Sequence, residues 1–181
     1  MQRRTFLKFA VSSLTLALPP LAGAWMPDFS SIRIAHTGVT ASQWQLISQV
    51  QNHLMPSEPN APGAKEVHAA RYLQWVLSDP RLESAQKRFF ADGAEQLRKL
   101  SQDKMQDAFL ALNQSQRESV LRQLEQMPGG REWLRELLHY LFEAMFTDPV
   151  YGGNPDGIGW KWIGHRPGYK RPPADKRYFL L

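Results

Sequence analysis

Cysteine is absent from all 181 residues, and that gap removes several kinds of chemistry. The chain can hold no disulfide, no cysteine-ligated iron–sulfur cluster and no Cys-x-x-Cys-His haem attachment. Its five histidines (His36, His53, His68, His139 and His165) are scattered, with no two spaced as helical metal ligands and no His-Glu-x-x-His. No Gly-x-Ser-x-Gly elbow occurs. Gly157-Ile158-Gly159 begins like a dinucleotide loop, but Trp162 stands where the third glycine belongs and no strand pattern precedes it. Asn154-Pro155-Asp156-Gly157 resembles part of a calcium loop, yet Gly152 and Ile163 occupy the positions that need acidic ligands. Alternating β-branched stretches are missing too, so no strand is expected. The numerous acids fall on helix-patterned segments as solvated faces. No catalytic residue, cofactor ligand or metal ligand is nominated.

What is present begins at the N-terminus. Arg3-Arg4-Thr5-Phe6-Leu7-Lys8 has the paired arginines and Phe-Leu-Lys step of a twin-arginine export signal, which sends proteins across the membrane already folded. Phe9 to Leu18 is a short apolar stretch diluted by Ser12, Ser13 and Thr15. It falls well below the roughly 20 residues that a membrane span needs. Pro19-Pro20 break any helix, and Ala22-Gly23-Ala24 supplies a small-x-small cleavage pattern at Ala22 and Ala24. Residues 1–24 therefore read as a signal peptide, addressed through the twin-arginine translocase to the periplasm. Folded export usually serves a cofactor inserted in the cytoplasm. A chain without cysteine either binds such a group non-covalently or travels with a larger protein that carries one.

The remainder has the size of one domain, able to bury roughly 70% of its unfolded surface. At 43% hydrophobic and 22% charged residues it reads as globular. Its net charge of +5 is unevenly spread: Arg3, Arg4 and Lys8 carry three positive charges, and from Lys161 onward six Lys or Arg face the single acid Asp175. The stretch from Trp25 to Trp160 is left acidic, so basicity belongs to the two ends. Pro167, Pro172 and Pro173 keep the basic tail from forming an amphipathic helix. A solvated tail and a docking arm are equally compatible with its charge. Export argues against nucleic acid as a partner.

Residues 25–147 read as a helical domain. Thr40-Ala41-Ser42-Gln43 has capping-box spacing, followed by Leu46, Ile47, Val50 and Leu54 at helical intervals. Pro56 to Gly63 is a turn-rich linker, and Ala69, Tyr72, Leu73 and Val76 mark a second helix. Asp79-Pro80 predicts the end of that helix and the cap of a third, with Leu82, Phe89, Gly93, Leu97 and Leu100 along one face. Asn113 is the cap candidate for a fourth helix carrying Val120, Leu121 and Leu124. After Pro128-Gly129-Gly130, the residues Leu134, Leu137, Leu138, Leu141 and Met145 form the cleanest stripe, with Trp133 and Phe142 beside it. The expected architecture is an all-α bundle of about five helices with short connections.

Residues 148–181 change character. Val150 to Gly164 gathers five glycines with Tyr151, Trp160 and Trp162, which predicts an irregular Gly/Trp-rich loop before the extended basic tail. Two readings stand open. The loop folds back and closes the bundle, or it is a contact surface, since Trp and Tyr are favoured interface anchors. A stand-alone binding module would use the same aromatics (Tyr151, Trp160, Trp162) as a small-ligand pocket.

The run Thr147-Asp148-Pro149-Val150-Tyr151-Gly152-Gly153-Asn154, followed by Gly159-Trp160-Lys161 and Ile163-Gly164, closely resembles the small (gamma) subunit family of gluconate 2-dehydrogenase. Leu54-Met55-Pro56 with Pro62-Gly63-Ala64 is similar to that family's first inter-helix linker. The resemblance covers most of the chain, from about Gln43 to Gly164. It implies a non-catalytic helical subunit bound to a large FAD-dependent dehydrogenase of the glucose–methanol–choline type, which oxidises a sugar, sugar acid or polyol. It also implies a multihaem cytochrome c as a third partner, with haem c in that subunit and FAD in the large one. The complex would sit at the outer face of the inner membrane. The small subunit would supply export and maturation of the flavoprotein. Tyr151, Gly152, Gly153, Asn154, Trp160, Trp162 and Gly164 would then be partner-binding.

Overall fold

The first helix starts where the capping spacing places it. Thr40 is extended, its hydroxyl accepts the Gln43 N–H at 3.3 Å, and the Gln43 side chain accepts the Thr40 N–H at 2.9 Å. This reciprocal pair satisfies two donors that a helix start leaves orphaned. Helix α1 then runs Ala41–Leu54. Asn113 and Gln116 repeat the device at 3.0 and 2.9 Å ahead of α4, Gln114–Glu125. The computed structural model describes residues 37–168. Among them are α1, α2 (Ala69–Ser78), α3 (Ser84–Met105), α4, α5 (Gly130–Phe146) and α6 (Ile158–Ile163), with no strand. No helix among the described residues is long and apolar enough to cross a membrane. The all-α expectation holds.

Helix α3 departs from its expected start. Asp79-Pro80 predicts a helix from position 80, but α3 begins at Ser84 behind Glu83. The Asp79 carboxylate instead accepts the Arg81 backbone N–H at 2.8 Å and the Arg81 guanidinium at 3.0 Å. That local turn competes with helix propagation. Leu82 consequently precedes α3 rather than lining it, and Phe90 is buried where Phe89 is only partly covered.

Helix α5 is the hub and touches every other α-helix. Its N-terminal half joins one apolar cluster: Trp133 and Leu137 pack with Ile47, Val50, Leu73, Leu97 and Leu124. The Trp133 indole N–H donates to the Phe90 carbonyl at 3.3 Å, so the buried ring leaves no polar group unsatisfied. Its C-terminal half joins a second cluster, where Leu141, Ala144 and Met145 meet Val67, Ala69, Tyr72 and Trp75. Phe142, which the sequence stripe puts beside the core, is instead 47% exposed.

The stretch expected as an irregular loop is ordered. It forms two 3-10 turns, Pro149–Tyr151 and Pro155–Gly157, and then the six-residue α6 framed by left-handed Gly157 and Gly164. Six residues are too few to show a helical period in sequence.

Candidate functional site

The C-terminal segment is held to α5 by close backbone approach. A side chain on Gly153 would place its Cβ 2.5 Å from the Ala144 carbonyl oxygen, and one on Gly159 would come within 2.1 Å of the Met145 carbonyl oxygen. Only glycine permits such contact, because helix backbone cannot yield as a side-chain tip can. Asn154 is fully buried and pins the turn from within. Its N–H donates to Val67 O at 3.1 Å and its Nδ2 to Thr147 O at 2.9 Å, while its Oδ1 accepts the Gly159 N–H at 2.7 Å. It does this in the left-handed conformation (φ 50°), which asparagine tolerates better than most residues.

The seven residues expected to bind a partner therefore divide. Gly152, Gly153 and Asn154 are buried inside the chain's own contacts. Tyr151 is half-buried, its ring 5.5 Å from that of Trp75. Trp160 is half-buried and donates its indole N–H to Phe146 O at 2.8 Å, tying α6 to the end of α5. Trp162 is 39% exposed and Gly164 is exposed. Closure of the bundle describes the first group, and a free surface describes the last two. The cavity beside the start of α2 is lined by none of Tyr151, Trp160 and Trp162, the aromatic residues offered as a ligand pocket. The export-signal residues Arg3, Arg4, Phe6, Leu7 and Lys8, the cleavage residues Ala22 and Ala24, and the tail from residue 169 lie outside the described residues.

The outward stripe of α5 was missed in the sequence. Arg131, Arg135, His139, Phe142 and Phe146 follow one another at helical spacing and are all exposed. A solvated helix face is normally polar along its length. Here it begins with two arginines and a histidine and ends with two phenylalanines, 47% and 41% exposed. Their rings are parallel within 1°, with centroids 6.3 Å apart. Trp162 stands on α6, which hydrogen-bonds to the same end of α5. Phe142 at position i and Phe146 at i+4, next to charges that mark the outer face, carry the signal in the sequence.

Among the described residues, no group of three or more His, Asp or Glu side chains is placed to hold a metal ion. The ionic contacts are peripheral. His53 Nε2 lies 2.8 Å from Glu118 Oε2, and this hydrogen bond, then the Arg122 charge, hold the Glu118 carboxyl below its ordinary range. His139 pairs with Glu143 one turn on at 3.0 Å.

A family model described as gluconate 2-dehydrogenase subunit 3 matches residues 41–168. No curated protein matches the chain, and no solved structure does. The matched span runs from the first residue of α1 to just beyond α6, and so takes in both the bundle and the C-terminal closure.

Proposed function

Starting from the fact that this chain belongs to the gluconate 2-dehydrogenase subunit 3 family, and is thereby the small subunit of a gluconate 2-dehydrogenase-like complex, we propose that it is a non-catalytic docking and escort subunit. Its partner is a large FAD-dependent dehydrogenase of the glucose–methanol–choline type, with a multihaem cytochrome c as the electron acceptor. Arg3 and Arg4 address the pair to the twin-arginine translocase, and the complex works in the periplasm at the outer face of the inner membrane. The small subunit carries no flavin; it stabilises the subunit that does.

One observation carries this reading: the Phe142–Phe146 pair, exposed at the end of an otherwise charged stripe. Phenylalanine and tryptophan each bury roughly 150–250 Å² when covered, and they supply the anchors of stable interfaces. The large subunit is the occupant, because family membership places this chain in a complex and the described residues leave this aromatic face uncovered. Gly153, Asn154 and Gly159 enter indirectly, by fixing α6 against the end of α5.

The test is co-expression with the large subunit and measurement of the affinity of the pair. Phe142→Ser combined with Phe146→Ser should weaken association by about 2 kcal/mol per ring if both are hot spots, hence several hundredfold together. The isolated variant should keep its melting temperature. Equal affinity of the double variant would refute the docking face. In the same strain, Arg3→Lys with Arg4→Lys should retain dehydrogenase activity in the cytoplasm; normal periplasmic activity would remove the escort role.

A further inference from the structure

The exposed end of α5 holds more than two rings. Helix residues three and four positions apart are surface neighbours, so His139, Phe142, Glu143 and Phe146 mark the corners of one hole. Four residues in this arrangement receive a side chain from a facing surface. Two corners are phenyl rings, parallel within 1° and one helical turn apart, with centroids separated by 6.3 Å. The other two are polar and already joined, His139 Nε2 lying 3.0 Å from Glu143 Oε1. Tyr72, buried on α2, donates its hydroxyl to Glu143 Oε2 at 3.1 Å. The carboxylate is held from two sides, yet the Glu143 side chain remains 38% exposed.

That neighbourhood restricts what can cover the rings. A partner that buries Phe142 and Phe146 also takes Glu143 out of water, since Glu143 follows the first ring directly and precedes the second by three positions. Burying a carboxylate is strongly unfavourable unless an opposite charge meets it. The bonds already present do not supply that charge: the Tyr72 hydroxyl is neutral, and His139 is charged only when protonated. A purely apolar patch is therefore a poor occupant, and an acidic one is worse. The covering surface has to bring a cation.

The rings decide which cation. A guanidinium is planar, stacks on aromatic faces and sheds water readily, and its fork of donors matches a carboxylate. An ammonium is compact and strongly hydrated, so it loses more on leaving water. Arginine is also enriched among the anchors of interfaces. The arginines of α5 do not fill the role. Arg135 starts about 12 Å back along the helix axis from Glu143 and lies 3.7 Å from Glu136, while Arg131 is further back, 3.6 Å from Glu125.

We propose that the large subunit anchors itself here through an arginine, its guanidinium stacked on Phe142 and Phe146 and paired with the Glu143 carboxylate. This rests on the docking face described above and assigns its recognition chemistry: the rings supply area, and Glu143 selects the charge. Tyr72 and His139 are positioning residues that fix the carboxylate.

Affinity of the full chain for the large subunit, measured at about 50 and about 500 mM salt, tests the anchor. Glu143→Gln keeps the shape of the side chain and an oxygen for Tyr72 but deletes the charge. It should weaken the complex at least about thirtyfold at low salt and flatten the salt dependence, because the partner's guanidinium is left buried and unpaired. The isolated variant should melt with the unaltered chain. A second measurement needs no variant: in the complex, an arginine of the large subunit should be shielded from phenylglyoxal, an arginine-selective reagent, and should react once the subunits are separated. Unchanged affinity and salt dependence in Glu143→Gln, alongside weakened binding by Phe142→Ser with Phe146→Ser, would leave the docking face standing and overturn the anchor. Full binding by the phenylalanine variant would overturn both. Shielding of lysines alone, or of no basic residue, would also refute the arginine.

Discussion

The helical body and the C-terminal closure are both packed onto α5, but by opposite means. In the body, large side chains meet: Trp133, Leu137, Leu97 and Ile47 interdigitate, and helix starts at Thr40 and Asn113 are capped by their own sequence. In the closure, side chains are withdrawn so that backbone meets backbone, with Gly153 and Gly159 against the last turns of α5 and one asparagine satisfying three polar groups. The first kind of contact fails by leaving a cavity when a side chain is cut down. The second fails by collision when a side chain is added. The exposed Phe142–Phe146 pair lies at the end of α5, where the two regions join.

That contrast makes ordered predictions. The largest effect belongs to the body: Trp133→Ala should cost about 3–5 kcal/mol of global stability in denaturant unfolding, because it empties a fully buried site. Gly159→Ala comes next. Its Cβ would collide with the Met145 carbonyl, so about 1–3 kcal/mol is expected. The loss should be local, seen as faster amide exchange across residues 149–164 with α3 and α4 still protected. Uniform loss of protection would show that closure and body are one cooperative unit. The smallest effect lies at the rim. Glu118→Gln should cost about 0.5 kcal/mol near neutral pH, a low value because the Glu118 side chain is 45% exposed. A carboxyl whose folded pKa is lowered stabilises above its unfolded value and loses that contribution as pH falls through the folded one. The difference between Glu118→Gln and the unaltered chain should therefore shrink steadily in melts taken at pH values further and further below the ordinary carboxylate range.

The same contrast decides what the sequence could reveal. Body helices announce themselves because apolar residues recur at helical spacing and because Thr40-Gln43 and Asn113-Gln116 have the exact chemistry of a cap. Asp79-Pro80 misleads because the Asp79 carboxylate finds Arg81 two residues on, a local competitor that spacing cannot weigh. In the closure, glycine and asparagine have no period. Their meaning depends on which backbone lies opposite, and that is a tertiary fact. Tyr151, Trp160 and Trp162 stood out by type, but only the structure shows that Trp160 is tied to Phe146 O while Trp162 faces outward. Phe142 was legible as an apolar residue beside the α5 stripe, but its outward direction shows only in the structure.

The central claim is that this chain scaffolds a redox partner and performs no redox chemistry of its own. Its most direct test is to purify the chain alone and together with the large subunit, and to measure bound flavin and sugar-acid oxidation in each. The chain alone should be colourless and inactive, with flavin and turnover appearing only in fractions that contain the larger protein. Flavin or dehydrogenase activity that stays with the isolated chain would contradict the account.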